Sequence, residues 1–208
     1  MVYAQKKRDP ESARARLLEV AIALFAEKGY ASTSVREIVA LAGVTKPVLY
    51  YYFESKEGIF RAILDSAASQ QEGILAGVLE APGTALERII YLYRRIYQGV
   101  VENQNLFKMI HNLIFGPPQG TPEYDFEQYQ RGMADTIKII YREGLAKHEV
   151  NEADLEEVAL LVLGLTEFCF HTYYLYPGSL DPGTPERLIR LAFKGLARSG
   201  ASTRRKHK

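Results

Sequence analysis

The chain has 208 residues, of which 47% are hydrophobic and 25% are charged, and its formal net charge is +1. This composition is typical of a soluble globular protein with a substantial core, and it argues against intrinsic disorder. A single cysteine, Cys169, excludes an internal disulfide and a cysteine-rich zinc site, and it suits the reducing cytoplasm. Three basic residues near the N-terminus are followed by no apolar segment, so we expect no secretory signal.

Charge is distributed unevenly along the chain. Residues 1–60 hold nine Lys and Arg against seven Asp and Glu, whereas residues 61–203 hold 13 against 18. Four further basic residues lie in the tail, 204–208. A basic N-terminal part followed by an acidic body suggests that only the N-terminal part approaches a polyanion.

Hydrophobic residues recur with the 3.6-residue period of helices almost everywhere, which predicts an all-α fold. The first helix starts at Asp9-Pro10-Glu11, with an acceptor side chain, a proline and an acid in the expected order, and it ends at Gly29. Ser34 with Glu37 three residues later forms a capping box that opens a short helix. Thr45 can cap a second short helix, which reaches about Phe53.

Longer helices are predicted for the rest of the chain. One starts at Ser55-Lys56-Glu57 and runs to about Leu79. The others are predicted at about 84–101, 104–115, 123–147, 152–176 and 185–198. We place a functional boundary near residue 55, because the first three helices and the remainder differ in charge and in helix length. The basic tail at 200–208 is expected to be disordered.

The two short helices predict a helix-turn-helix. Gly43 lies where the chain must turn sharply, and the spacing of Ile38, Val44 and Leu49 allows the two helices to pack together. Lys46, Pro47, Tyr50 and Tyr51 then point away from that packing. Adjacent helical residues lie about 100° apart, so at least one or two of the tyrosines at 50–52 must be exposed. A recognition helix places its N-terminal residues at base edges in the major groove. Lys46 can donate to guanine or phosphate, and Lys56, Thr33 and Arg36 could bind the backbone.

At these residues the sequence resembles the DNA-binding domain of the TetR family of transcriptional regulators. The resemblance covers residues 12–60 and rests on 26–30 (AEKGY), 33–38 (TSVREI) and 42–57 (AGVTKPVLYYYFESKE). Beyond residue 65 it extends only to length and helix succession.

The resemblance implies a nine-helix, Ω-shaped homodimer that represses nearby genes until a small molecule binds. Three N-terminal helices would bind an operator in double-stranded DNA, six more would form a ligand pocket, and the last two of those six would form the dimer interface. The DNA-binding domain would then comprise residues 1–54, and the ligand-binding and dimerisation domain residues 55–199. Carried over by position, the DNA contacts are Thr33, Arg36, Thr45, Lys46, Pro47, Tyr50, Tyr51, Tyr52 and Lys56.

The segment from Val158 to Tyr176 is apolar on nearly all sides of its predicted helix, so it must be covered on more than one side. Its longest apolar run is too short to span a membrane, which needs about 20 residues. A partner subunit on one side and a cavity on the other would explain the pattern, although a monomer with a thick core is the alternative. The predicted interface residues are Leu161, Gly164, Leu165, Leu188, Leu191 and Ala192.

Aromatic residues in the body predict a pocket for an apolar or aromatic effector, although any single aromatic suits an ordinary core better. A buried carboxylate needs a partner, so Glu167 with His171 could serve the pocket or simply pair with each other. The candidate pocket residues are Tyr93, Tyr97, Phe107, His111, Phe115, Tyr129, Glu167, Phe168 and His171.

Other functions are less well supported by the sequence. No phosphate-binding loop, nucleophile elbow or zinc-binding histidine pair is present, so we expect neither an enzyme nor a bound metal or cofactor. One alternative keeps the DNA-binding domain but makes the body a protein–protein interaction module without a small-molecule pocket. The protein is expected in the cytoplasm.

Overall fold

The computed structural model describes residues 10–117, 120–176, 179–181 and 183–196, without the side chains at 10–12, 128, 129 and 196. These residues form nine α-helices and no β-strand, so the predicted all-α fold is confirmed. The helices are α1 (Pro10–Lys28), α2 (Val35–Ala42), α3 (Lys46–Phe53), α4 (Lys56–Glu80), α5 (Ala85–Glu102), α6 (Gln104–Phe115), α7 (Phe126–Ala146), α8 (Leu155–Leu175) and α9 (Thr184–Leu196). The predicted basic tail at 200–208 lies outside the described residues.

The chain divides into two compact units. The first comprises the described residues up to Gln71 together with Val100–Phe126, and the second comprises Glu72–Gly99 and the described residues from Glu127 onward. This division reflects packing, whereas the boundary placed near residue 55 concerns function and stays a prediction.

The first unit is built around α1. One face of α1, which includes Leu17, Ala21 and Phe25, is buried against α2, α3 and the start of α4. Met109 brings α6 into the same core. This core fixes the directions of the two short helices, because Ile38 on α2 and Leu49 on α3 are completely buried in it.

The second unit contains α5, α7, α8 and α9. Its fully buried side chains include Ile89, Ile137, Tyr141 and Ile189, one or more from each of α5, α7 and α9. The Tyr141 hydroxyl donates to the Asn151 carbonyl at 2.9 Å and so ties α7 to the loop before α8.

A buried arginine closes the C-terminal end of α4 in this unit. The last carbonyls of a helix have no partner within the helix. Arg88 on α5 is 4% exposed, and its guanidinium donates to the carbonyls of Val78 at 3.3 Å and Leu79 at 2.7 Å. Its remaining terminal nitrogen pairs with Glu143 on α7. One side chain therefore joins the ends of three helices.

One described helix, α8, is long and apolar enough by length and composition to cross a membrane. Core helices of soluble proteins pass the same test, and only a third of its most apolar window is buried within this chain. The exposed apolar remainder, which includes Leu161 and Phe168, lies along the outer side of the helix.

Candidate nucleic-acid interface

The start of α2 is fixed by local hydrogen bonds that the sequence predicted. The Ser34 hydroxyl accepts from the Glu37 backbone N–H at 3.2 Å, and the Glu37 carboxylate accepts from the Ser34 backbone N–H at 2.9 Å. Lys28 at the end of α1 also donates to Glu37, at 2.6 Å. Together these bonds lower the pKa of Glu37 to about 2, with the Lys28 hydrogen bond as the largest cause. The predicted capping box is confirmed.

A glycine makes the turn between α2 and α3. Gly43 has φ 64° and ψ 37°, a left-handed conformation that side chains with a Cβ avoid. Its N–H donates back to α2, and the next N–H, that of Val44, donates to the Val39 carbonyl at 3.0 Å. This pattern ends α2 and redirects the chain within two residues, as expected for a helix-turn-helix.

The recognition helix α3 is anchored on one face and free on the other. Leu49 and Phe53 are buried, whereas Lys46 and Pro47 are exposed at its N-terminal end. Thr45 occupies the N-cap position, but its side chain makes no capping hydrogen bond. Its hydroxyl is therefore available, together with Lys46, at the end of the helix that a recognition helix presents to bases.

The three consecutive tyrosines have different surroundings. Tyr51 is 81% exposed and Tyr50 is 46% exposed, whereas Tyr52 is half-buried. Tyr52 packs edge-on against Tyr51 with ring centroids 5.0 Å apart. Tyr51 is thus held by a neighbouring ring while its hydroxyl end is free to reach a ligand.

The other predicted DNA contacts surround this helix. Arg36 is exposed on α2. Thr33 is only 2% exposed, and its hydroxyl donates to the Gly29 carbonyl at 2.8 Å. The Lys56 ammonium donates to the carbonyls of Tyr30 at 2.9 Å and Thr33 at 3.0 Å. Burial lowers the pKa of Lys56. In this structure Thr33 and Lys56 face the protein, and their contact with DNA stays a prediction.

The predicted pocket residues fall into two groups in different units. Phe107, His111 and Phe115 follow one another along α6, with centroids 5.8 Å and then 5.1 Å apart. Tyr93 and Tyr97 lie on α5 in the second unit, with centroids 5.8 Å apart.

Three further pocket candidates lie on α8. Burial raises the pKa of Glu167, and the nearby His171 opposes that shift. Phe168 is 70% exposed. The side chain of Tyr129, also predicted for the pocket, lies outside the described residues.

A small cavity does lie among α5, α7 and α8, with about 10 Å³ of space for the centre of a water-sized sphere. Among the described side chains, Tyr93 is the one predicted pocket residue that lines it. Sequence reasoning missed the other lining residues, which are Ile89, Leu92, Ile96, Met133, Ile137, Val162, Leu163, Thr166 and Phe170. Phe170 could have been chosen, because it follows Thr166 by one helical turn on the buried face of α8.

The predicted interface residues of α8 form a stripe on its outer side. Leu161 is 41% exposed, and no described atom lies within 4 Å of the position that a Cβ would take on Gly164. Leu165 and Phe168 continue the stripe at helical spacing. On α9, Leu191 is 62% exposed and Leu188 and Ala192 are partly exposed. Exposed leucines and an exposed phenylalanine in this number favour a covering partner.

A helical core that presents one short helix to solvent after a glycine turn defines a helix-turn-helix DNA-binding protein. Comparison with known proteins agrees. The sequence model of the family described as "Bacterial regulatory proteins, tetR family" matches residues 17–63. Residues 17–63 therefore form a DNA-binding domain like that of the TetR family of transcriptional regulators.

Relatives extend the likeness beyond the DNA-binding domain. The HTH-type transcriptional regulator YdgC of Bacillus subtilis (strain 168) is 27% identical over 197 residues, which are 92% of this chain and 96% of that protein. The HTH-type transcriptional repressor KstR2 of Mycolicibacterium smegmatis is 27% identical over 138 residues, which are 66% of this chain and 67% of its own. These relatives are transcription regulators, not enzymes, and the same holds for this chain.

The fold is shared with solved structures. The TetR family transcriptional regulator PfmR from Thermus thermophilus superposes with a TM-score of 0.71 at 23% identity, over 88% of this chain and all of that one. At this identity the likeness concerns the fold alone.

Proposed function

We propose that the protein is a cytoplasmic repressor that binds a palindromic operator as a homodimer. A small, largely apolar or aromatic effector would release it. The observation that carries the DNA-binding part is the exposure of Thr45, Lys46, Pro47 and Tyr51 on the side of α3 opposite its buried Leu49.

Direct contact with bases falls to the N-terminal end of α3. Lys46 donates to guanine O6 and N7, and Pro47 offers apolar surface to a thymine methyl group. Tyr50, Tyr51, Tyr52 and Arg36 supply donors to phosphates on the walls of the groove. Lys56 and Thr33 contribute through their position, because they hold the loop before α2 against the start of α4.

The dimer forms through the exposed stripe on α8 and the exposed side of α9. A two-fold axis through this surface pairs the same patch of both subunits, so every contact across it occurs twice. Two recognition helices then meet successive major grooves, which lie about 34–36 Å apart on one face of DNA. Repression as the outcome is supported by the repressor KstR2 among the relatives.

Release by an effector follows from a difference in affinity between two states. A ligand that prefers the conformation unable to span the operator lowers DNA binding by no more than that preference. The cavity among α5, α7 and α8 supports the body as the effector's site.

Operator binding tests the proposal. The DNA flanking the gene is used in mobility-shift titrations at two salt concentrations, with the wild type, Lys46→Ala and Tyr51→Ala. Lys147→Ala, which removes an exposed positive charge at the end of α7, is the matched control. We expect tight, salt-sensitive binding by the wild type and the control, and a loss of about 10- to 100-fold in Lys46→Ala.

Two outcomes would count against the proposal. Equal affinity of Lys46→Ala and wild type would remove the recognition helix from the site. Failure of effector-free wild-type protein to select any DNA above random sequence would refute DNA recognition altogether. If operator binding holds but no apolar molecule raises the melting temperature, the body is better described as a protein–protein interaction module.

A further inference from the structure

The wall of the cavity among α5, α7 and α8 is almost entirely apolar. Eight of its ten lining residues are aliphatic, methionine or phenylalanine side chains, and the two polar ones are Tyr93 and Thr166. Among the described residues, no charged side chain lines it. Ile96, Leu163 and Met133, on three different helices, are only partly buried.

The Thr166 hydroxyl is already used inside α8. It donates to the carbonyls of Val162 at 2.9 Å and Leu163 at 3.0 Å. A hydroxyl bonded in this way to the preceding turn is a common way of placing threonine in a buried helix. Thr166 therefore does not call for a ligand.

Tyr93 differs from Thr166 in its hydrogen bonding. It is 4% exposed, and its hydroxyl is buried without a hydrogen-bond partner among the described residues. Leaving a buried hydroxyl unbonded is costly, so native structures normally satisfy it.

A stack of rings holds the Tyr93 side chain in place. The Phe170 ring lies nearly parallel to it, at 12° with centroids 5.6 Å apart, and the Tyr97 ring lies at 5.8 Å. The Phe170 and Tyr97 centroids are 6.4 Å from each other, so the three rings form a cluster. Tyr173 meets Tyr97 edge-on at 5.7 Å. Because Tyr93 is buried and packs against the Phe170 and Tyr97 rings, its hydroxyl stays inside the protein.

We propose that this cavity binds an uncharged, slender apolar molecule with one hydrogen-bond acceptor, and that the Tyr93 hydroxyl donates to that acceptor. The inference deepens the proposed function and rests on it for the role of the ligand as effector. A carbonyl oxygen on an aliphatic chain has the required chemistry.

The walls select against charge. A carboxylate or ammonium group would lose its hydration and meet no opposite charge on the described lining residues, which is costly in an apolar site. The hydroxyl acts as the donor because burial raises the pKa of Tyr93, so the proton stays on the oxygen at neutral pH.

Entry of such a molecule must separate the helices. The present space of about 10 Å³ holds about one water-sized sphere, whereas ligand pockets are about 300 Å³ or larger. Binding therefore favours a conformation in which α5, α7 and α8 lie further apart. That difference between the two states is what an effector needs.

Three probes of similar length test the chemistry on DNA-free, full-length protein. They are 2-octanone, 2-methyl-1-octene, in which a methylidene group replaces the carbonyl oxygen, and octanoate. Free probe is measured by headspace gas chromatography for the first two and by equilibrium dialysis for the third. Each is titrated against the wild type, Tyr93→Phe, and the control Tyr97→Phe, which removes a hydroxyl from the same stack outside the cavity lining.

We expect Tyr93→Phe to weaken 2-octanone relative to 2-methyl-1-octene by about two- to tenfold, the effect of one neutral hydrogen bond. Tyr97→Phe should leave the ratio unchanged, and octanoate should bind more weakly than the ketone. An unchanged ratio in Tyr93→Phe, or octanoate binding as tightly as the ketone, would overturn the proposal.

The location is tested without a further substitution. With methyl-labelled methionine, 2-octanone should shift the NMR signal of Met133, which lines the cavity, and not that of Met109, which lies in the core of the first unit. A shift of Met109 alone would place the ketone elsewhere and refute the site. Because no arm contains DNA, loss of operator recognition would refute the proposed function and leave these results intact.

Discussion

The Lys56 ammonium lies 3.0 Å from the Thr33 carbonyl oxygen and 4.0 Å from the centre of the Tyr30 ring. It also donates to the Tyr30 carbonyl at 2.9 Å. The first residue of α4 therefore fixes the loop that precedes α2. The Lys56 ammonium already donates to two protein carbonyls, so substituting Lys56 should affect DNA binding differently from substituting Lys46.

Lys56→Met should lower the free energy of unfolding by about 1–3 kcal/mol, because two carbonyls lose a charged donor and the aromatic ring loses its cation. Its operator affinity should fall with little change in salt dependence. Lys46→Met should leave stability unchanged and should lose affinity mainly for operators that carry the contacted guanine, because a side chain on a base sets specificity. Urea unfolding and binding titrations at several salt concentrations measure both. A stable Lys56→Met protein with a reduced salt slope would show that Lys56 binds phosphate directly.

The capping box at Ser34 predicts a pH dependence of stability. The pKa of Glu37 is lowered from 4.5 to about 2, so its carboxylate stabilises the fold at pH values above the unfolded pKa. That contribution is lost as the pH falls from about 4.5 to about 2. Glu37→Gln should therefore flatten the acid side of the stability profile, measured as urea midpoints from neutral pH downward.

Glu27→Gln on the exposed side of α1 is the matched control for the same change of charge, and it should keep the wild-type profile. If Glu37→Gln and wild type lose stability in parallel over this interval, the hydrogen bonds to Lys28 and Ser34 do not form in solution.

Local chemistry is what the sequence predicted well. The capping box and the left-handed glycine depend on residues within a few positions of one another, so Ser34, Glu37 and Gly43 were enough to place α2 and the turn. Asp154 caps α8 in the same way, accepting from the N–H groups of Glu156 and Glu157. Asp154 could have been recognised in the sequence as an N-cap, and it places the start of α8 at Leu155 rather than at the predicted 152.

Contacts between segments that lie far apart in the sequence could not be predicted from it. Helix α7 begins at Phe126 instead of about 123, because Tyr124 and Phe126 pack against the core of the first unit and the Tyr124 hydroxyl meets Asp65. Lys56 looked like an exposed cation, since its carbonyl partners lie 23 and 26 residues away.

The candidate pocket shows the same limit. The sequence supplies many aromatic residues at helical spacing, but the face that each presents is set by the neighbouring helices. Tyr93 lines the cavity, whereas Phe168 on α8 lies on the outer stripe.

Arg88 should be more sensitive to substitution than the exposed arginines of the second unit. Arg88→Met leaves the carbonyls of Val78 and Leu79 without their donor and should cost about 3 kcal/mol. Arg94→Met breaks an ion pair with Glu186, but Arg94 is 64% exposed, so its cost should stay below about 1 kcal/mol. Thermal unfolding of the two variants gives the comparison. Equal losses would mean that burial adds nothing to the Arg88 contacts.

The outer stripe of α8 should control assembly. Leu161→Arg places a charge at the proposed two-fold interface, where each substitution acts twice, so the protein should become monomeric in sedimentation experiments. Tyr91→Arg introduces the same charge at a residue of α5 with equal exposure, 41%, and should stay dimeric. An operator with two half-sites requires two DNA-binding domains that are held together. The monomer should therefore lose binding to the palindromic operator while keeping its helical content. A dimeric Leu161→Arg protein with normal operator affinity would move the interface away from α8.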